Sequence, residues 1–390
     1  MGRRTPPLVA RMREHTSTVF GEMSALAART CAINLGQGFP DTDGPDVVKQ
    51  AAIRAIGEGR GNQYPPVNGV PELRRAIAQH QQRFYRLDVD PDTDVVVATG
   101  ASEAIAATLL ALVETGDEVV MFSPWFDLYA AATSLAGAAR VSVPLAGPSF
   151  RPDAAALERA VTHRTRVLLL NSPHNPTGTV FTQDELAQIA LVAERHDLVV
   201  ISDEAYEHLV FDGSTHVPFA TLPGMAERTV TIGSAGKSLS MTGWKVGWAT
   251  GPADLIAAVR VVRQHLSFVS SGPFQWAVAE GLALPDSYWR EFADQLQSQR
   301  ELLCAGLAAV GLSVTVPQGT YFATTDVRPL GYEDGWAFCR DLPGRAGVVA
   351  IPHEAFHDDP EAGKPYVRWA FCKRPEVLSE AVDRLARCFR

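Results

Sequence analysis

Cysteine is scarce and scattered. Cys31, Cys304, Cys339, Cys372 and Cys388 are the only five in 390 residues, and none forms a CxxC pair. An odd, dispersed set excludes a disulfide framework and predicts reduced thiols in a cytoplasmic protein. No apolar run approaches the roughly 18 residues of a membrane span. The opening stretch, Met1 to Pro7, is basic, but no apolar core or small-residue cleavage site follows it, so no secretory leader is expected. Basic charge is short too. There are 35 Lys and Arg against 44 Asp and Glu, a formal net charge of −9, which argues against a general nucleic-acid binder. Internal repeats and low-complexity tracts are missing. What remains is 46% hydrophobic and 20% charged, the balance of a soluble globular chain long enough for one large and one small domain.

What is present is an alternation of short apolar runs and helical patterns. Val95 to Ala98, Glu118 to Phe122, Arg166 to Leu170, Leu198 to Ile201, Thr229 to Ile232 and Val246 to Thr250 read as strands. Helices are expected from Ser102 onward and over Thr182 to Glu194. Continuous apolar strands between helices predict an α/β sheet covered on both faces. Past residue 285 the pattern changes to a long amphipathic stretch, Ser287 to Val310. Strand-like pieces follow at Ser313–Val316, Tyr321–Thr325, Val348–Ile351 and Tyr366–Phe371, then a terminal helix, Pro375–Cys388. The expected organisation is a large domain over 45–285, with 1–44 and 286–390 forming a smaller α+β domain that includes an N-terminal arm.

In open α/β sheets ligands bind beyond the carboxyl ends of the strands. Here those ends carry an unusual set of polar residues. The first strand runs into Gly100-Ala101-Ser102 at the start of a helix, a place suited to a phosphate dianion. Ser234 adds a hydroxyl and Lys245 a cation. The third strand ends at Asn171, followed by Asn175; the fourth ends at Asp203, followed by Tyr206; the fifth leads to Lys237. Asp203 can pair with a protonated ring nitrogen. Asn175 and Tyr206 can hydrogen-bond a phenolic oxygen, and Lys237 can attach to an aldehyde. Phosphate, pyridine, phenol and aldehyde together describe pyridoxal 5'-phosphate (PLP).

At these residues the sequence resembles the class I/II aminotransferases of PLP fold type I, in the kynurenine, glutamine and methionine aminotransferase branch. The segments 34–41, 62–65, 172–178, 202–206, 234–247 and 367–371 follow that pattern in order. Segments 172–178, 272–275 and 329–332 further resemble actinobacterial N-succinyldiaminopimelate aminotransferases. The resemblance implies a large domain with a mostly parallel seven-stranded sheet between helices. It also implies a homodimer with shared active sites and PLP as cofactor, bound by Lys237 as a Schiff base. Lys237, Asp203 and Tyr206 would be catalytic. Phe126 would stack on the pyridine, Asn171, Asn175 and Tyr206 would sit beside the cofactor, and Gly100, Ala101, Ser102, Ser234 and Lys245 would hold its phosphate. Arg368 would take the substrate carboxylate, a task for a planar bidentate donor. Gly38 and Phe20 would line the substrate pocket with Asn175, and Tyr64 would reach into the partner's site. Ser271 stands where this branch often has His or Thr, so the relatives' substrate preference does not transfer.

The implied activity is ping-pong transfer of an amino group from an L-amino acid to a 2-oxo acid, with Lys237 moving the Cα proton. The alternative on the same scaffold is a cysteine-S-conjugate β-lyase, which releases ammonia; an oxidase, a cyclase or a non-catalytic PLP sensor is less well supported. Two motifs are read as decoys. Gly236-Lys237-Ser238 lacks the glycine a P-loop needs at position 231, which is Thr231. His353-Glu-Ala-Phe-His357 matches HExxH, but Pro352 and Asp358-Asp-Pro360 leave no room for the helix that zinc chemistry requires. No metal, nucleic acid or membrane partner is expected.

Overall fold

The computed structural model describes residues 8–16 and 18–389. The first part of the expected N-terminal arm, 1–7, lies outside the described residues. A short strand β1 (Ile33–Asn34) precedes the main sheet. That sheet is made of β2 (Val95–Ala98), β3 (Glu118–Ser123), β4 (Ala139–Pro144), β5 (Thr165–Asn171), β6 (Val199–Asp203), β7 (Thr229–Ser234) and β8 (Gly247–Thr250). Their order is β2-β8-β7-β6-β5-β3-β4, and β8 alone runs against its neighbours.

Successive side chains on a strand point to opposite faces, so a strand apolar at every position must be covered twice. On β2, Val96 and Ala98 pack with Ile105 and Leu109 of the helix Gly100–Leu112. Val95 and Val97 pack on the other face with Leu73 and Ile77 of the helix Pro71–Tyr85. On β5, Val167 and Leu169 share the first core, while Leu168 and Leu170 meet Leu186 and Ile189 of the helix Gln183–Arg195. That helix begins with a capping box, Thr182 and Glu185 each bonding the other's backbone amide.

The second sheet uses β9 (Ser313–Thr315), β10 (Phe322–Asp326), β12 (Ile351–Pro352) and β13 (Tyr366–Ala370) in the order β12-β13-β10-β9. Between them in sequence, β11 (Val348–Val349) pairs in parallel with β1. One core joins this sheet to Leu303 and Leu307 of the helix Asp286–Ala309 and to Leu378 and Leu385 of the helix Pro375–Phe389. Met23, Ala27 and Leu35 enter it from the N-terminal side, and Tyr206 and Leu209 from the loop after β6.

The structure departs from the sequence reading in identifiable ways. Strand β4 is absent from the list of apolar runs because it is an edge strand with only Val143 buried. The expected strand Val348–Ile351 is two strands, since Val348–Val349 pairs with β1 while Ile351–Pro352 pairs with β13. The helix expected from Ser102 starts at Gly100. His353–Phe356 is a single 3-10 turn. The His353 ring bonds Thr324 at 3.0 Å and the His357 ring bonds Ser123 at 2.9 Å, so the two do not converge. No helix among the described residues is long and apolar enough to cross a membrane.

Gly233 in β7 faces Trp248 in β8, and a Cβ at 233 would lie 2.3 Å from the indole Cε2 and Nε1. Trp248 is fully enclosed and has nowhere to go. Gly233→Ala should therefore lower stability by about 1–3 kcal/mol through overpacking. Gly57→Ala, at a helix end with open space around it, should be neutral or slightly stabilising. Urea unfolding of both variants checks the contrast.

Candidate active site

The carboxyl ends of β2, β5, β6 and β7 and the start of antiparallel β8 meet along one edge of the main sheet, under the second sheet. A cavity opens there. One part of its lining is Gly100, Ala101 and Ser102, with Ser234 and Lys245. Gly100 has φ +75°, a conformation glycine adopts without strain. Lys245 Nζ would be 3.2 Å from a Cβ at position 100, and a Cβ at Gly247 would strike the Ala101 amide nitrogen at 2.5 Å. These two glycines let the helix start, Lys245 and β8 crowd together. The N-cap Thr99 makes no side-chain cap bond, so the first-turn amides keep their capacity for an anion.

A hydrogen-bond scaffold holds the middle of the cavity. The Asn171 side chain accepts from the Asn175 amide at 2.8 Å and donates to the Asp203 carbonyl at 2.8 Å. Both its ends are used within the protein, so it positions Asn175 and Asp203. Tyr129 donates its hydroxyl to Asp203 Oδ2 at 2.6 Å, and the Ala205 amide donates to Oδ1 at 3.1 Å. Burial pushes the Asp203 carboxyl above its ordinary value, opposed by the Tyr129 bond and the Lys237 charge. Phe126 lines the same wall, edge-on to Tyr129.

Lys237 sits in the short helix Ala235–Ser238. Its Nζ donates to the Tyr321 hydroxyl at 2.7 Å, and Tyr321 donates onward to the Gly38 carbonyl at 2.6 Å. Burial lowers the Lys237 amine to about 8, against the pull of Cys372 and Asp203. Tyr206 stands edge-on to Tyr321, with ring centroids 5.3 Å apart. Arg368, only 1% exposed, donates to Asn175 Oδ1 and to the Gly36 carbonyl, each at 2.9 Å. Its Nε has no partner, and its guanidinium lies over Phe322 at 4.0 Å and Phe20 at 4.9 Å. Burial lowers this group to about 10.

All the residues singled out in the sequence line this cavity, except two. Tyr64 is 81% exposed and packs edge-on to Phe268, and Ser271 stands just before the helix Gly272–Leu282 without a side-chain cap bond. Backbone contact between Gly61 and Gly272 brings their segments together. Tyr321 and the Tyr129 hydroxyl were missed as polar participants. Tyr321 reads locally as the first residue of a strand, and Tyr129 falls in none of the sequence motifs. Only their tertiary neighbours reveal the hydroxyls.

The arrangement offers a half-buried amine, a buried carboxylate, a bidentate cation and an anion cradle within one cavity. The family model "Aminotransferase class I and II" matches residues 30–385. The chain belongs to the class I and II aminotransferases. Its fold superimposes on N-succinyldiaminopimelate aminotransferase from Mycobacterium tuberculosis with a TM-score of 0.96, at 52% identity over 98% of this chain and 100% of that one. The methionine aminotransferase YbdL from Escherichia coli gives 0.93 at 38% identity, over 98% and 100%. The kynurenine–oxoglutarate transaminase of Dictyostelium discoideum is 37% identical over 95% of this chain and 94% of its own length. This aminotransferase therefore shares fold and family along nearly its whole length with enzymes named for different amino acids.

A lysine held at about 8 instead of 10.5 disfavours folding at neutral pH, where both states are protonated and the folded one suffers desolvation. The cost is complete below pH 8 and fades as pH rises toward 10.5, where the unfolded chain loses the same proton. Lys237→Met should therefore stabilise the cofactor-free aminotransferase by on the order of 2–3 kcal/mol at pH 7. Denaturant unfolding from pH 7 to 10.5 should show that gain level up to about pH 8 and shrinking above it.

Proposed function

We propose that this aminotransferase binds PLP in the cavity described above and uses it to move an amino group between an L-amino acid and a 2-oxo acid. The observation that carries the reading is the position of the Lys237 amine, on the floor of a cavity that also holds Asp203 and Arg368. The residues present fit the group. An uncapped helix start with Ser102, Ser234 and Lys245 suits a phosphate, a buried carboxylate suits a ring nitrogen, and the unpartnered Arg368 Nε awaits an acceptor. When bound, PLP supplies an electron sink for the charge left at Cα.

Lys237 would hold the cofactor through its amine and would take and return the Cα proton; an amine near 8 exchanges protons readily at neutral pH. Tyr321 orients that amine. Asp203 would keep the ring nitrogen protonated, Asn175 and Tyr206 would hold the ring oxygen, and Phe126 would cover the ring. Arg368 orients the substrate by its carboxylate, with Gly38 and Phe20 beside it. Tyr64 and Ser271 serve the partner's cavity in a homodimer, a reading supported by their distance from their own cavity and by the exposed Tyr64–Phe268 pair. Five free thiols support a cytoplasmic setting.

N-succinyldiaminopimelate is the first donor to try, since the 52% identical relative bears that name. The test is a near-ultraviolet and visible spectrum of the PLP-loaded enzyme during titration with amino acids. The cofactor band should convert on adding a donor and return on adding a 2-oxo acid, with a new amino acid as product. Accumulating ammonia without a new amino acid would replace the transferase reading with β-elimination. Lys237→Ala should lose turnover by about 10⁴-fold or more, as removal of a residue that works both as nucleophile and as general base does.

A further inference from the structure

Outside the cavity, the loop that follows β6 continues past Tyr206 into Glu207 and His208, and these meet His80 of the helix Pro71–Tyr85. The Nε2 atoms of His80 and His208 are 2.7 Å apart. The ligand atoms of His80, Glu207 and His208 all lie within 4.8 Å of one another. His80 and Glu207 are almost fully buried. Across the imidazole pair only one ring can donate, so the other presents a lone pair. Trp289 stacks on His208 at 4.2 Å, and Phe84 lies edge-on at 4.7 Å, fixing the ring plane. Arg83, the nearby cation, is committed elsewhere, to the Leu284 carbonyl and to Asp286. A cleft lined by Tyr85, Glu207, His208 and His216 opens beside the group.

We propose that His80, Glu207 and His208 form a binding site for a divalent transition metal, with Zn²⁺ the best match. Two imidazole nitrogens and one carboxylate oxygen are a common zinc donor set, with the fourth position left to solvent from the cleft. Tetrahedral zinc would hold the two nitrogens about 3.3 Å apart, so the rings need to separate by roughly half an ångström. Binding replaces one imidazole–imidazole hydrogen bond with two metal–nitrogen bonds and one metal–carboxylate bond; the proton shared between the two Nε2 atoms moves to the Nδ1 of its own ring, and no electron moves. The consequence is mechanical. Glu207 adjoins Tyr206, so the ion would fasten the loop carrying Asp203 and Tyr206 to a helix that packs on the opposite side of β2 from the cavity-forming helix.

The test uses the full-length enzyme, loaded with PLP, stripped with a chelator, incubated with ZnCl₂ and desalted. Wild type should retain about one equivalent of zinc by elemental analysis, and His208→Gln and Glu207→Gln should each retain at most about a tenth of that. Co²⁺ in place of Zn²⁺ should give visible d–d bands of tetrahedral intensity in the wild type alone. Measurements on the wild type stand even if a variant fails to fold, because zinc should raise its unfolding temperature and chelator should reverse the rise. Absence of both retained zinc and cobalt bands in the wild type would overturn the proposal and leave a plain imidazole hydrogen bond. Equal retention in folded variants would overturn it too, by placing the ion elsewhere.

Discussion

One buried guanidinium ties together the three stretches of chain that meet at the cavity. Arg368 belongs to β13 of the second sheet, bonds Asn175 in the loop after β5 of the main sheet, and bonds the Gly36 carbonyl of the N-terminal segment. Aromatic faces of Phe20, Phe322 and Phe356 surround its remaining surface. A cation this enclosed is tolerated only where acceptors are fixed around it, because removing one partner strands the charge. The partners here are two neutral oxygens, and one nitrogen is left without any. The arrangement is incomplete as a structural ion site, with donor capacity left over at the cavity.

The same imbalance extends through the cavity. Burial pushes Lys237 down, Asp203 up and Arg368 down, each toward its uncharged form. A protein selected for stability alone would fill such a space with apolar side chains at less cost. Retaining three ionisable groups there, held by Tyr129, Tyr321 and Asn175, keeps their positions fixed before a ligand arrives. Preorganised polar groups in a low-dielectric site act more strongly on a developing charge than they could in water.

Much of this was legible in the sequence, and the exceptions have a common cause. Strands β2, β3, β5 and β6 are mostly apolar runs and β7 alternates Thr with Val and Ile, all buried on both faces, so their ends, and the polar residues just beyond, could be located within one or two positions. Edge strand β4 carries a mixed pattern because only one position is enclosed. The break between β11 and β12 depends on partners at Ile33 and Arg368, far away in sequence. Asn171 lines the cavity as its place at a strand end suggests, but its bonds to Asn175 and Asp203 are not legible there; a residue type at a strand end does not say which partner it will meet. Tyr321 escaped notice for the same reason. Local pattern reports burial and secondary structure, while hydrogen-bond partnership across the sheets is a property of the folded chain.

The loop after β6 shows how these levels combine. Over a few residues Asp203 is held by Tyr129, Tyr206 packs into the core of the second sheet, and His208 reaches His80 on the helix Pro71–Tyr85. Each attachment comes from a different layer of the molecule. A loop anchored on one side could swing with its neighbour, whereas one anchored on three sides must move with all of them or not at all. Misplacing a reacting group by about 1 Å can cost 10²-fold in rate. Three-sided anchoring therefore accounts for how a strand end and the connecting segment after it, ordinarily the most mobile part of an α/β unit, hold Asp203 and Tyr206 in fixed positions at the cavity.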